Sequence, residues 1–548
     1  DSHKMGYLGA TSYVVGNIIG SGIFITPASI LRYTDSVGLS LIVWIGCALI
    51  AILGALCYIE LGTSIRDPGC DFAYICYVKW YSIAFSFMWV SVLMTYPATI
   101  AIIAETFGQY LIEGLRQYYD IDDEIAPTAQ KLFGFSLLLL VTWMNFFSLS
   151  KFAARFQIVA TAAKLLSCLL IIFTGFYFLF VKGWYANLSA PMQGSSYRIG
   201  DLIMGTYGGL WAYSGWDVLN MGAGEIANPR RNMPLALLSG IFIVSAVYVS
   251  INVAYFVVLD VETIKSSNAV AALFSQATLG SFASCIPFLV GILLIGSLNS
   301  NLFCGSRYMY AAARQGHLPA CFSCVNKENE SPRVAIFAQT VLAFAISFVG
   351  DLDALIGYVM FGFWAQRIFT LVALIIIRYH HIPVHPEAIR MPLSIIYLFL
   401  AITIALVVIP IFQEFYVTAL GIAICSFGFI FYFIFIYPEH LPSCLYRWNL
   451  KSTFVACVVF DAVPDLKPGV SICGAIPPSE SAQMLIPKVW FRVPISSSQI
   501  SSSSRISEDS VPDLHSDEKN IMRRNGSMTG LRMILPGSLV DLMGATDA

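Results

Sequence analysis

This sequence has little charge. Only 12% of its 548 residues are Asp, Glu, Lys or Arg, and 31 basic against 33 acidic side chains leave a formal net charge of −2. No concentrated basic face is available, so no nucleic-acid partner is expected. A regular cysteine pattern is also missing. The 13 cysteines are scattered mostly through apolar stretches, which suits small packing residues. Cys321 and Cys324 form a solitary C-x-x-C with neither a second pair nor a histidine constellation nearby, and are read as packing rather than as a metal or redox site. No hydrolase triad, P-loop Gly-x-x-x-x-Gly-Lys or dinucleotide fingerprint stands in a believable context. Neither an enzyme nor a bound cofactor is expected.

What the chain has in abundance is apolar length. It is 57% hydrophobic with a mean hydropathy of +0.73, and apolar stretches recur from the start to about Tyr437. The class is a multi-span, all-α membrane protein seated in a lipid bilayer. Asp1 to Met5 is polar, and the apolar run after it is too long for a signal-peptide core, so residues 1–7 are expected to be a cytoplasmic tail and not a cleaved leader. Windows of about 20 apolar residues place spans 1 to 6 near 8–32, 39–61, 81–107, 131–147, 155–181 and 201–225. Spans 7 to 12 follow near 234–258, 284–310, 334–350, 354–377, 393–411 and 416–436. Residues 8–437 thus form a transporter-sized domain of about twelve crossings. Residues 438–548, with a serine run from Ser496 to Ser507, lack apolar periodicity and are expected to be a largely disordered cytoplasmic tail.

Basic residues sort to one side. Lys151 and Arg155, Arg230 and Arg231, Arg314 with Lys327 and Arg333, and Arg378 with Arg390 all fall in connections after even-numbered spans. Acidic residues mark the other: Glu113, Asp120, Asp122, Asp123 and Glu124, then Asp260 and Glu262, then Asp351 and Asp353. The positive-inside rule puts the basic connections and both termini in the cytoplasm. The sequon at Asn187 then lies outside, and those at Asn329 and Asn525 lie inside and should be silent.

Two spans carry sequences that are poor for a continuous helix. In span 1, Asn17-Ile18-Ile19-Gly20-Ser21-Gly22-Ile23 sets two glycines around a serine, each glycine costing roughly 1 kcal/mol of helix propensity relative to alanine. Alone, Gly16 and Gly20 would equally mark close helix packing. In span 6, Tyr207-Gly208-Gly209-Leu210-Trp211-Ala212-Tyr213-Ser214-Gly215-Trp216-Asp217 supplies a second interruption. Corresponding interruptions in two halves of a chain point to the midplane site of a secondary transporter, because backbone freed at bilayer depth must line a cavity or hold a ligand. Freed N–H groups suit a carboxylate and freed carbonyls an ammonium, so the pair suits a zwitterion. Each break opens a set of five spans, 8–181 and 201–377, and an odd repeat size forces inverted topology. Without a nucleotide motif, transport would run on solute gradients.

Charges at bilayer depth are functional by default. Lys164 lies about eleven residues inside span 5, roughly 16 Å at the helical rise, and is expected either to stand in for a coupling cation beside the span 1 break or to be purely structural. Asp217 either caps the second half of span 6 or contacts substrate or a proton. Trp211 is read as a gate over the ligand, against simple packing. Glu60, Glu105 and Arg307 are read as anchors or inter-helix pairs, and His380, His381 and His385 as an interfacial polar patch.

At these residues the chain resembles the amino acid–polyamine–organocation superfamily and, within it, the L-type (glycoprotein-associated) amino acid transporter light chains. The resemblance runs from about Gly6 to Tyr437 and is carried by Ile18-Ile19-Gly20-Ser21-Gly22-Ile23-Phe24, Glu60-Leu61-Gly62-Thr63, Gly215-Trp216 with Leu219-Asn220, Asn228-Pro229-Arg230-Arg231-Asn232-Met233-Pro234, Gly296-Ser297-Leu298-Asn299 and Gly316-His317-Leu318-Pro319. It implies a leucine-transporter-type fold and sodium-independent amino acid exchange at the plasma membrane. It also implies that the substrate carboxylate meets the backbone at Ser21 and Gly22. The ammonium would meet carbonyls at Ile18 and Trp211, with Ser214 and Gly215 completing the span 6 break. By the same resemblance Trp211 takes the gate position, and Lys164 matches a lysine that replaces sodium in relatives.

Three departures qualify this. Many relatives carry a cysteine after span 3 that forms a disulfide to a heavy chain, and this sequence has none between Cys76 and Cys168, so a disulfide-linked heavy chain is not expected and a non-covalent partner stays open. Asp217 stands where relatives usually have Asn, and Ser214 replaces a frequent glycine. The expectation is therefore an exchanger of neutral L-amino acids, extending to aromatic ones. Two alternatives stay open, a cationic amino acid carrier using Asp217 and a non-transporting amino acid sensor.

Overall fold

In the computed structural model, the described residues are 6–66, 70–147, 150–221, 226–328, 330–413, 415–438 and 442–466. The expected span boundaries hold to within a few residues except at span 3, which runs on to Arg116 through a π-turn at Ser91–Thr95. Among the described residues, ten helices are long and apolar enough to cross a membrane. The broken span 6 and the 14-residue Arg333–Ile346 of span 9 complete the twelve. The only strands among the described residues are β1 (Cys324–Val325) and β2 (Val463–Pro464), paired antiparallel.

Local chemistry sets several ends. Span 2 (Val37–Ser64) starts where the Ser36 hydroxyl accepts the Leu39 N–H at 3.2 Å, and span 10 (Leu352–Tyr379) starts on the Asp351 carboxylate, which accepts from Ala354 at 3.0 Å. Span 9 ends at Ile346, short of the expected 350, where i→i−3 turn bonds from Phe348 to Ala345 and from Val349 to Ile346 replace the helical pattern.

The packing pairs one half of the chain with the other. The first half of span 1 packs on span 7 as the first half of span 6 packs on span 2. Span 3 lies on span 4 as span 8 lies on span 9, and span 8 touches span 5 as span 3 touches span 10. Spans 3 and 8 meet each other at the centre. This is the pattern of a five-plus-five repeat around two broken helices.

Residues 442–466, the start of the segment expected to lack structure, form a helix (Ser443–Phe460) and β2, both docked on the connection between spans 8 and 9. Asn187 sits in a short 3-10 turn after span 5. Asn329, Asn525 and the Ser496–Ser507 run lie outside the described residues, as do the side chains of Lys151 and Arg155.

Candidate substrate site

Both interruptions are present. Span 1 is helical over Tyr7–Ile18, breaks at Ile19 to Ser21, and resumes at Gly22–Ile25 and Pro27–Thr34. Span 6 is helical over Ile199–Ala212, turns through Tyr213 to Asp217, and resumes at Val218–Met221. The first N–H groups of each resumed helix have no intrahelical acceptor.

The breaks touch. A Cβ on Gly22 would lie 2.6 Å from the Ala212 Cα, so only glycine lets the two backbones approach this closely. Gly215 has φ of +98°, a conformation L side chains rarely adopt, and Asn17 covers its open side, donating from Nδ2 to the Gly215 carbonyl at 3.2 Å. The buried Tyr248 hydroxyl of span 7 lies 2.8 Å from the Ile18 carbonyl and 2.9 Å from the Ala212 carbonyl, so one donor serves both helix ends.

Around this junction lies a cavity of about 410 Å³. Ile18, Ser21, Gly22, Lys164, Trp211, Ser214, Gly215 and Asp217 all line it, so each site residue expected from the sequence reaches one space. The cavity extends toward the face that carries the N-terminus, past Tyr13 and the exposed Asn17. On the opposite face Arg32 of span 1 pairs with Asp353 of span 10 at 3.1 Å and Lys265 pairs with Asp35, closing that end. The Asp35 carboxylate, as hydrogen-bond acceptor, holds the Lys265 ammonium above its ordinary value.

Lys164 donates to the Gly16 carbonyl at 3.1 Å, one turn before the break, while Ser297 and Ser300 of span 8 line the same cavity. Trp211 is nearly buried at the cavity wall, and its carbonyl accepts the Ser214 N–H at 3.1 Å.

Asp217 does something the sequence reading did not anticipate. Its Oδ2 lies 2.9 Å from Arg367 Nη2 of span 10, with side chains 4% and 0% exposed. The guanidinium sits 4.1 Å from the Phe363 ring and 4.4 Å from that of Trp216, with Tyr58 and Trp364 just beyond. Next to this pair, Asp71 accepts hydrogen bonds from the Tyr58 hydroxyl and, at 2.8 Å, from that of Thr370. Cys70, Asp71 and Asp217 bring ligand-type atoms within 4.8 Å of one another, but the guanidinium already supplies positive charge there. Arg367 is an intramembrane charge as rare as Lys164, and the rule that singles out one applies to the other. Tyr248 has no such signal, being one of 27 tyrosines. Glu60 proves to be an inter-helix pair, its Oε1 3.4 Å from Arg378 Nε.

The amino acid permease family model matches residues 5–459. Among similar proteins, amino acid transporter protein 6 of Caenorhabditis elegans is 45% identical, covering 89% of this chain and 94% of the relative. The human cystine/glutamate transporter is 34% identical over 84% of this chain and 91% of its own length. The human large neutral amino acids transporter small subunit 2 is 33% identical over 83% and 85%. The chain belongs to the amino acid permease family and, within the amino acid–polyamine–organocation superfamily, to the L-type amino acid transporters.

Proposed function

We propose that this transporter exchanges neutral L-amino acids, extending to aromatic ones, across the plasma membrane by alternating access, without sodium and without a disulfide-linked heavy chain. The observation that carries the reading is the meeting of two broken helices on one cavity. The N–H groups at Ser21 and Gly22 take the substrate carboxylate, and the carbonyls of Ile18 and Trp211 take its ammonium. The Ile18 carbonyl already accepts from Tyr248 and keeps a second lone pair, while that of Trp211 accepts from the Tyr213 and Ser214 N–H groups, which have to yield to the substrate ammonium.

Charge decides the side-chain class. Asp71, hydrogen-bonded to Tyr58 and Thr370, also lines the cavity, but Arg367 pairs with Asp217, so a substrate side chain entering beside span 6 does not find that carboxylate free. That speaks against the cationic-carrier reading, which needs the carboxylate free. The Lys164 ammonium beside the span 1 break holds fixed positive charge where a coupling cation would otherwise sit, which supports sodium independence. With the basic connections in the cytoplasm, the cavity faces inward and the Arg32–Asp353 latch faces out. The absence of any cysteine between Cys76 and Cys168 supports function without a covalent partner.

Counterflow in proteoliposomes tests this. Vesicles loaded with unlabelled phenylalanine should take up labelled phenylalanine faster than empty ones, with sodium or with choline outside. Equal rates refute exchange, a sodium requirement refutes the lysine's role, and absence of uptake from every loading leaves the sensor.

A further inference from the structure

The C-x-x-C that the sequence offers without a partner finds one 133 residues downstream. Cys324, on β1, places its Sγ 3.8 Å from the Sγ of Cys457, on the C-terminal helix. We propose that Cys324 and Cys457 form a peroxide-reactive dithiol whose oxidation staples the C-terminal helix to the connection between spans 8 and 9.

The two backbones are held in place independently of the sulfurs. β2 pairs with β1, setting Pro464 opposite Cys324. Asn326 donates to the Asp461 carbonyl at 2.8 Å, Arg333 to the Phe460 carbonyl at 3.1 Å, and the Ala320 N–H to the Asn449 side chain at 3.1 Å. Asp465 accepts from the Tyr310 hydroxyl and lies 3.2 Å from Arg314, both of span 8. A disulfide bond is about 2.0 Å long, so the sulfurs have to close by about 1.8 Å from their 3.8 Å separation.

The two thiols are unequal in a way that divides the work. Cys324 is fully buried, and Cys457 is partly exposed. Either thiol can donate across this contact, and donation from the buried Cys324 to a Cys457 thiolate pushes the Cys457 thiol below its ordinary value and the Cys324 thiol above it. Cys457 is therefore the group that meets an oxidant, and Cys324 the group that resolves it. The Cys457 thiolate attacks one oxygen of hydrogen peroxide. The O–O bond breaks, hydroxide leaves and gains a proton to become water, and Cys457 becomes a sulfenic acid. The Cys324 sulfur then gives up its proton and attacks the Cys457 sulfur. The S–O bond breaks, a second water leaves, and two electrons have passed from the two thiols to one peroxide. Span 8, whose far end this segment grips through Tyr310 and Arg314, lines the substrate cavity with Ser297, Ser300 and Tyr308. The staple thus fixes an element that is also a wall of the site.

That the pair rests as free thiols depends on the cytoplasmic placement proposed above, because that compartment is reducing. The pairing itself does not, nor does it depend on transport. The test is peptide mapping of the full-length protein from cells alkylated at lysis, and of purified protein after stoichiometric hydrogen peroxide, with the exposed Cys285 and Cys444 as internal references. Expected are free thiols at lysis, a Cys324–Cys457 linked peptide after peroxide, and its loss with dithiothreitol. In Cys324→Ser the link disappears and dimedone labelling of Cys457 rises about tenfold over wild type, because the sulfenic acid is no longer resolved. Cys457→Ser should show neither signal. A Cys321–Cys324 link after peroxide, or modification confined to Cys285 and Cys444, overturns the assignment. A Cys324–Cys457 bond already present at lysis overturns the switch and the cytoplasmic placement together, whereas failure of counterflow would leave the dithiol standing.

Discussion

Arg367→Met leaves an unbranched side chain among Tyr58, Trp216, Phe363 and Trp364 and takes away the guanidinium that faces Asp217. At their 2.9 Å separation and an effective dielectric of about 20, the attraction is ~6 kcal/mol. Desolvation offsets much of it, and losing one partner of such a pair costs about 3–5 kcal/mol. The variant is therefore less stable, and its Asp217 carboxylate now looks into the substrate cavity uncompensated. A substrate ammonium or guanidinium about 5 Å away at the same dielectric gains ~3 kcal/mol. Part of that is spent on desolvation, so arginine should improve as a competitor by roughly 10- to 100-fold.

The assay is inhibition of phenylalanine counterflow by arginine in proteoliposomes, on protein that elutes as a single symmetric peak. The double variant Asp217→Asn with Arg367→Met removes both charges, should recover most of the lost stability and should return arginine to its wild-type potency. Asp217→Asn alone strands the guanidinium, so it should lower stability without admitting arginine. If Arg367→Met folds and exchanges phenylalanine while arginine potency moves by less than about twofold, the claim that Arg367 masks Asp217 is refuted.

Gly22→Ala puts a methyl group 2.6 Å from the Ala212 Cα. Overpacking of this kind costs about 1–3 kcal/mol, so counterflow should fall at least tenfold in protein that still folds, and an unchanged rate would mean the breaks do not meet. Tyr248→Phe deletes the hydroxyl shared by Ile18 and Ala212. The loss of about 1–3 kcal/mol should slow exchange several-fold with a normal elution profile, and full activity would show the bridge is dispensable. Arg32→Ala opens the latch to Asp353, whose side chains are 28% and 16% exposed. Such a pair is worth about 0.2–1 kcal/mol, so an impermeant maleimide added outside should label a cysteine placed at Ser29 several-fold faster; equal labelling refutes the latch. The neighbouring Lys265 is raised by Asp35, so its contribution is complete below the ordinary lysine value of about 10.4 and lost only as pH rises through the raised one; labelling, once corrected for the thiolate fraction of the placed cysteine at each pH, should not vary between roughly pH 6 and 9.

What was legible in the sequence is what backbone chemistry writes locally. Gly20-Ser21-Gly22 and Ser214-Gly215 announce helix breaks within a few residues, and every expected site residue, from Ile18 to Asp217, lines the cavity. The misread positions are those whose meaning depends on a distant partner. The residues around Asp217 suggest a helix cap or a ligand contact, but its charge is answered by Arg367, 150 residues away. Tyr248 bridges carbonyls 230 and 36 residues from it, and no local pattern distinguishes it from other tyrosines. In residues 443–460 Arg447, Asn449 and Lys451 interrupt the apolar run, so local pattern marks no span, and the helix they form docks on the 8–9 connection.

These cases share a cause. A break in a membrane helix is a property of the backbone, so composition reveals it. Compensation of a buried charge is a property of the fold, since an uncompensated ion in hydrocarbon is too costly to persist. A lone Asp217 in an apolar span therefore implies a cationic partner, and Arg367, like Lys164 and Arg307, is an intramembrane cation that could be that partner. Reading intramembrane charges in pairs of opposite sign, rather than one by one, turns Asp217 from a free contact for cationic substrates into half of a buried ion pair, which is the ground on which neutral cargo is proposed over cationic.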